Sequence, residues 1–174
     1  LFFTRAGELG DKPFLWQKVE PDWQSTSWAV AASRTAAITR ALGDLGITAG
    51  DRVALVSESR PEWPIADIAI MAAGAISVPA YTTNSVRDHL HVLTDSGASG
   101  IIVSTSFLAK TVLQAAIDAP TVKFIIAIDD PEVAQDAGLA IHRWEDLIDA
   151  HDGPPDSIAV KAAALTRDQT ACLI

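Results

Sequence analysis

The polar residues that could do chemistry in this chain fall in loops that follow short apolar runs. The loop 57–60 carries Glu58 and Arg60, which could form a polar ligand site or pair with each other at the surface beside the next helix. The loop 80–84 carries hydroxyl and amide side chains, which could bind a ligand or form a turn and cap a helix. We expect the surface ion pair in the first loop and the turn in the second.

None of these loops has a sequence that binds phosphate through its backbone. The G-x-G-x-x-G and G-x-x-x-x-G-K-[ST] motifs supply glycines that let N–H groups approach a phosphate chain, and neither motif follows a predicted strand. Lys110 and Thr111 lie inside a predicted helix with no glycine loop before them. Segment 96–100 lacks the second spacer of a G-x-S-x-G nucleophile elbow and precedes a strand, so it is interpreted as a small-residue turn.

The histidines do not have the spacing of a metal site. His89 and His91 are two residues apart on a predicted helix, about 200° apart around its axis, so one face cannot present both to one ion. His142 and His151 have no cysteine or carboxylate partner at ligand spacing. We therefore expect His89 and His91 to be exposed or to cap a helix. A disulfide framework is excluded because Cys172 is the single cysteine.

Length and composition indicate one packed domain. The chain has 174 residues, of which 49% are apolar and 20% are charged, far from the composition of disordered chains. Its formal net charge of −9 and the lack of a basic run argue against a nucleic-acid interface. The most apolar stretch, residues 65–80, is too short and too interrupted for a membrane-spanning helix. A cytoplasmic protein is the simplest expectation.

The first part of the chain predicts a β-hairpin followed by an amphipathic helix. Two aromatic-rich runs, 14–19 and 23–27, are separated by turn residues. Ser27 can cap the next helix, which we expect to end at Gly46. Its buried face is predicted from positions at steps of three and four, namely Ala31, Thr35, Ile38, Leu42 and Leu45. The tryptophans are expected to fill core and hairpin packing rather than to stack on a ligand.

Short runs that are apolar at every position then alternate with helical patterns, which is typical of a parallel sheet covered on both faces. The predicted strands are 53–56, 75–80, 101–103, 122–128, 140–142 and 170–174. The predicted helices are 61–73, 86–96, 107–119 and 144–148, and a loop is predicted at 151–156. The fold class is therefore α/β, built from parallel βαβ units with an N-terminal β-hairpin.

A series of short motifs resembles the N-terminal region of the adenylate-forming superfamily of acyl-CoA synthetases, adenylation domains and luciferases. The motifs are GDRVALV at 50–56, RPEW at 60–63, AAGA at 72–75, VP at 78–79, TSW at 26–28 and DSGA at 95–98. SESRPEW at 57–63, IAD at 65–67 and YTT at 81–83 look most like bacterial long-chain fatty-acid–CoA ligases. Val30 and Ser59 depart from the family pattern, which more often has an acidic residue and an asparagine there.

The resemblance implies that the intact protein activates a fatty acid with ATP to an acyl-adenylate, which CoA then converts to the thioester. ATP, Mg²⁺ and CoA are the implied cofactors and substrates, and no nucleic acid is implied. The family motifs for adenine, magnesium and the catalytic lysine lie further along, so no catalytic, cofactor-binding or metal-binding residue is assigned within this chain. Peripheral contact with the inner membrane and a homodimer are compatible with the resemblance.

We expect residues 1–174 to be a partial N-terminal AMP-binding domain, the first part of the large domain. The chain has no initiator methionine, and DQTACLI at 168–174 resembles the approach to the family's Thr/Ser/Gly-rich ATP-phosphate loop. Such a fragment is expected to be inactive alone. Two alternatives remain open: an adenylate-forming enzyme for another carboxylic acid, and a non-catalytic α/β binding or scaffold domain.

Overall fold

The computed structural model of the protein describes residues 1–132 and 138–174. Its helices are α1 (Phe2–Leu9), α2 (Trp28–Asp44), α3 (Glu62–Ala72), α4 (Val86–Ser96), α5 (Ser106–Ile117), α6 (Trp144–Ala150) and α7 (Asp156–Ala163). Its strands are β1 (Pro13–Val19), β2 (Asp22–Ser27), β3 (Arg52–Val56), β4 (Ile76–Pro79), β5 (Gly100–Val103), β6 (Phe124–Ala127) and β7 (Ala140–Arg143). The predicted hairpin and the alternating strands and helices are confirmed.

Five of the strands form one parallel sheet in the order β4-β3-β5-β6-β7, while β1 and β2 pair antiparallel as a separate hairpin. Every residue of the central strands β5 and β6 is buried, because helices cover both faces of the sheet. One face packs against α2, α3 and α6, and the other packs against α4 and α5. This layering explains why these strands are apolar at every position instead of alternating.

The helix ends follow the predicted capping residues. The backbone N–H of Val30 donates to Ser27 Oγ at 3.3 Å, and α2 then runs to Asp44. Ser85 and Asp88 form a reciprocal capping box at the start of α4. Gly97 follows that helix with a left-handed φ of 61°, a conformation that glycine adopts without a steric penalty.

Two helices were not predicted, and one predicted strand is wrong. Helix α1 is held by an aromatic cluster in which Phe14 stacks on Trp28 at 3.7 Å and Phe2 lies 5.9 Å from Phe14, a tertiary contact that local spacing does not reveal. Helix α7 directly follows the predicted loop and buries Ile158 against α2 and α3.

Segment 170–174 makes a single parallel bridge instead of a strand. Ser77 donates its N–H to the Ala171 carbonyl at 3.0 Å and accepts from the Leu173 N–H at 2.9 Å. The side chains of Ala171 and Leu173, which flank the bridge, are exposed. The strand prediction for 170–174 depended on hydrophobicity alone and is wrong for this reason. Among the helices of the described ranges, none has the length and apolar character needed to traverse a lipid bilayer.

Candidate functional site

The carboxyl ends of β3 and β5 form the crevice where this sheet is best placed to bind a ligand. The chain moves from β3 to β4 on one side and returns to β5 on the other, so the strand order reverses between β3 and β5. Open α/β sheets bind ligands at such a point, outside the carboxyl ends of the strands. The loops at this edge are residues 57–61 and 104–105, with residues 128–131 beyond them.

Arg60 joins the loop after β3 to the loop after β6. Its Nε donates to Glu62 Oε2 at 2.7 Å, and its Nη1 donates to Asp129 Oδ2 at 3.0 Å. Burial opposes the positive charge, but the carboxylates of Glu62 and Asp129 outweigh burial and raise the pKa of Arg60 above its ordinary value. Arg60 therefore stays charged and holds the two loops together.

The predicted Glu58–Arg60 ion pair is wrong, because each residue has a different partner. Glu58 accepts a hydrogen bond from Ser104 Oγ at the end of β5, while Arg60 reaches across to Asp129. The Asp129 N–H also donates to the Ser104 carbonyl at 2.8 Å, so three successive loops of the sheet are linked. Ser104 and Asp129 come directly after predicted strands, and parallel topology could have placed both at this edge.

We expect Arg60→Met to lower the free energy of unfolding by about 1–2 kcal/mol, because the partly buried carboxylate of Glu62 and the exposed carboxylate of Asp129 both lose their charged donor. The matched control is Lys110→Met, which removes an exposed ion pair with Glu132 at 3.2 Å and should cost less than about 0.5 kcal/mol. Urea unfolding followed by circular dichroism measures both. Equal losses in the two variants would contradict the role of Arg60 in joining the loops.

The β-hairpin faces the crevice and encloses a groove with it. We call this space the hairpin groove; it consists of two adjoining cavities of about 430 and 540 Å³ that share Trp16, Ser59 and Arg60. The larger cavity is also lined by Lys18, Trp23, Glu58 and Thr105. Its volume is within the range of small-ligand sites.

The tryptophans divide into packed and exposed groups. Trp144 is fully buried, and Trp28 stacks on Phe14, as expected for core and hairpin packing. Trp16 and Trp23 are 56% and 63% exposed, so the prediction of packing is wrong for this pair. Their exposure is a feature of the hairpin groove that composition could not show.

The loop 80–84 forms the predicted turn. The Asn84 N–H donates to the Tyr81 carbonyl at 3.2 Å, which closes the turn before Ser85 caps α4. The Tyr81 side chain is 80% exposed. The structure therefore supports the turn interpretation of this loop.

The histidines lie apart, as their spacing predicted, but His89 is not exposed. His91 is exposed, whereas His89 is 2% exposed and its Nε2 has no hydrogen-bond partner among the described residues. The interpretation of His89 as an exposed or capping residue is wrong, because its side chain is buried on α4 in the folded protein. His142 lies on β7 near Phe124, and His151 contacts Asp44. Within residues 1–132 and 138–174, no group of side chains could hold a metal ion.

Burial of His89 makes the protein's stability depend on pH near neutrality. Burial lowers the pKa of His89 below its ordinary value of 6.5, and the nearby Asp88 only partly opposes this shift. The unfolded chain therefore takes up a proton that the folded protein excludes, so the free energy of unfolding should fall as the pH drops below about 6.5. It should level off once the pH is below the lowered pKa of the folded state.

Urea unfolding at pH 7.5 and pH 6.0 tests this expectation. His89→Leu should have a smaller loss of stability between these pH values than the unaltered protein, because the buried imidazole is gone. His91→Leu, which alters an exposed histidine on the same helix, should keep the full loss. The same pH dependence in both variants would contradict the assignment to His89.

A family model described as AMP-binding enzyme matches residues 2–174 of the chain. The chain belongs to the AMP-binding enzyme family. The match runs through the hairpin, the sheet and all of the loops that form the crevice. The predicted fold class is confirmed, since the parallel sheet and the antiparallel hairpin match the N-terminal region of adenylate-forming enzymes.

Relatives of this AMP-binding enzyme chain act on different acids. The long-chain-fatty-acid–CoA ligase FadD15 of Mycobacterium tuberculosis is 34% identical over 153 residues, which cover 87% of this chain and 24% of the relative. A benzoate CoA ligase of Burkholderia xenovorans superimposes with a TM-score of 0.77 at 25% identity, covering 98% of this chain and 31% of that one. Acetoacetyl-CoA synthetase of Streptomyces lividans has a TM-score of 0.76 at 22% identity, over 88% of this chain and 25% of that one.

The AMP-binding enzyme chain spans about a quarter of the length of the curated FadD15 relative. The described residues contribute a preformed edge of the sheet, in which Arg60 and Ser104 fix the loops. The loops at that edge contain hydroxyls, carboxylates and the neutralised guanidinium of Arg60, and their sequences have no glycine-rich phosphate-binding motif. The arrangement can position one wall of a ligand site.

Proposed function

We propose that the chain is the first part of the large N-terminal domain of a long-chain fatty-acid–CoA ligase. In the intact enzyme, the fatty-acid carboxylate attacks ATP to give an acyl-adenylate and pyrophosphate, and the CoA thiol then displaces AMP to give the thioester. The observation that carries the proposal is the 34% identity to the FadD15 ligase over 153 residues. The family match over residues 2–174 supports the adenylate-forming chemistry.

The chain's own residues suit a supporting role in this reaction. An anionic triphosphate needs backbone donors and a divalent cation to neutralise charge in the transition state. The Arg60 guanidinium at the crevice is already neutralised by Glu62 and Asp129, and the loops at the crevice have no glycine-rich phosphate-binding motif. We therefore propose that ATP, Mg²⁺ and CoA are held by residues outside this chain, and that residues 1–174 alone are inactive.

The partners and location in this proposal follow from the substrate class. The partners are a fatty acid, ATP and CoA. A cytoplasmic enzyme that handles long acyl chains meets its substrate at the inner membrane, so the proposal includes peripheral contact there. We also propose that the intact enzyme forms a homodimer, which a measurement of its oligomeric state in solution would test.

The decisive assay compares this chain with the complete product of the gene that encodes it. The complete protein should form AMP from MgATP only when palmitate and CoA are both present, whereas the 174-residue chain should form none. Palmitate-dependent ATP–pyrophosphate exchange without CoA separates the first half-reaction from the second. Turnover by the isolated chain, or a folded complete protein inert towards palmitate, would overturn the proposal.

A second candidate is the activation of another carboxylic acid. Similarity to the benzoate CoA ligase favours this second candidate, because that structure superimposes over 98% of this chain with a TM-score of 0.77. Benzoate and acetoacetate should therefore be tested beside palmitate in the same assay. A preference for either acid would move the assignment to that substrate, and inertness towards all three would favour a non-catalytic α/β domain.

A further inference from the structure

The hairpin groove contains one carboxylate that no cation neutralises within the described part of the chain. The Lys18 ammonium pairs with Glu20 at 2.6 Å, and Arg60 is held by its own carboxylates. Glu58 instead has a neutral partner, the hydroxyl of Ser104, and its side chain is exposed. The groove therefore has a negative charge that is available to a positively charged ligand.

Two indole rings line the same groove. In the hairpin register Trp16 lies opposite Ser25 and Lys18 lies opposite Trp23, so Trp16, Lys18 and Trp23 share one face of the hairpin. Trp16 and Trp23 are diagonal neighbours, whose backbone positions are about 7–8 Å apart in an antiparallel pair. More than half of each side chain is exposed. Exposed indole faces attract cations, and guanidinium groups stack on them particularly well.

The openness of the groove favours a peptide over an enclosed small molecule. Small-ligand sites bury about 70–90% of their ligand, whereas Trp16 and Trp23, which form one wall here, remain largely exposed to solvent. The opposite wall is fixed in advance, since Ser104 holds Glu58 and Asp129 holds Arg60. A fixed wall reduces the ordering cost of binding, and the formal net charge of −9 attracts basic segments.

We propose that the hairpin groove binds an arginine side chain on a peptide segment of a partner protein. The guanidinium lies against the indoles of Trp16 and Trp23 and donates hydrogen bonds to the Glu58 carboxylate. Arginine fits this chemistry better than lysine, because its planar fork can both stack on an aromatic ring and bond a carboxylate through two N–H groups.

Nuclear magnetic resonance of the indole N–H signals tests the proposal directly. The probe is the nonapeptide Ser-Gly-Ser-Gly-Arg-Gly-Ser-Gly-Ser, and its twin contains citrulline, a neutral group of the same shape, in place of arginine. The arginine peptide should shift the indole signals of Trp16 and Trp23 and leave that of buried Trp144 unchanged. The citrulline peptide should bind about tenfold more weakly, as expected for loss of a charge-assisted hydrogen bond.

Matched variants locate the charge that binds the peptide. Glu58→Gln should weaken binding of the arginine peptide about tenfold, whereas Glu8→Gln, which makes the same charge change on α1, should not. Trp23→Leu tests the groove independently of Glu58 and should also weaken binding. An unchanged Trp144 signal shows that each variant is folded.

Several results would overturn the proposal. These are equal shifts with both peptides, equal effects of Glu58→Gln and Glu8→Gln, or no shift at millimolar peptide. Binding of N-acetylarginine amide as tight as that of the peptide would assign the groove to a small cation instead.

Discussion

Gly100→Ala is expected to lower the free energy of unfolding by about 2–3 kcal/mol, because a methyl group at this point overpacks the centre of the sheet. Gly100 begins β5 and lies opposite Phe124 of β6. A β-carbon on Gly100 would lie 2.7 Å from Cε2 and 2.9 Å from Cε1 of Phe124. Phe124 is itself 2% exposed, so packed neighbours limit the movement of its ring. Urea unfolding followed by circular dichroism measures the loss.

Two further variants separate overpacking from a general effect of replacing glycine. Gly43→Ala introduces the same methyl group near the end of α2, where nothing lies within 4 Å, so it should leave stability unchanged or raise it by up to about 1 kcal/mol. In a Phe124→Leu background the cost of Gly100→Ala should shrink, because the clashing ring is gone. A cost that stays the same in that background would contradict the contact with Phe124 as the cause.

Local patterns in the sequence were sufficient for most of the fold. The runs 53–56 and 101–103 are apolar at every position, which is typical of a strand covered on both faces. Ser27 and Ser85 have the side chains that cap helices, and both do so. These features depend on neighbours a few residues away, so they can be read without knowledge of the tertiary structure.

The site depends on contacts between residues far apart in the chain, which explains the incorrect predictions. Arg60 has Glu58 two residues away, yet its side chain reaches Asp129 because parallel strands bring their carboxyl ends to one edge. His89 is a polar residue, yet it lies at a position on α4 that the tertiary structure buries. Trp16 and Trp23 become neighbours of Glu58 only when the hairpin folds over the loop after β3. Spacing along the chain contains none of this information.

The remaining large effect concerns Trp144, which joins α6 to the core beneath the sheet. Trp144 is 0% exposed and belongs to the same hydrophobic cluster as Ile38 of α2 and Phe124 of β6. Trp144→Ala should lower the free energy of unfolding by about 3–5 kcal/mol, because the cavity left by the indole cannot be filled by the fixed strands. Circular dichroism in urea is the suitable measurement, since it does not depend on tryptophan emission.

Trp144→Phe separates the packing of the ring from the polarity of its N–H. The indole Nε1 has no hydrogen-bond partner within the described residues, and a buried donor that stays unpaired lowers the stability of a folded protein. Phenylalanine removes that donor while keeping most of the apolar ring, and the two effects should offset each other to within about 1 kcal/mol. A loss as large as that of Trp144→Ala would mean that Nε1 is hydrogen-bonded in solution, and that α6 is fixed to the core by polarity as well as by packing.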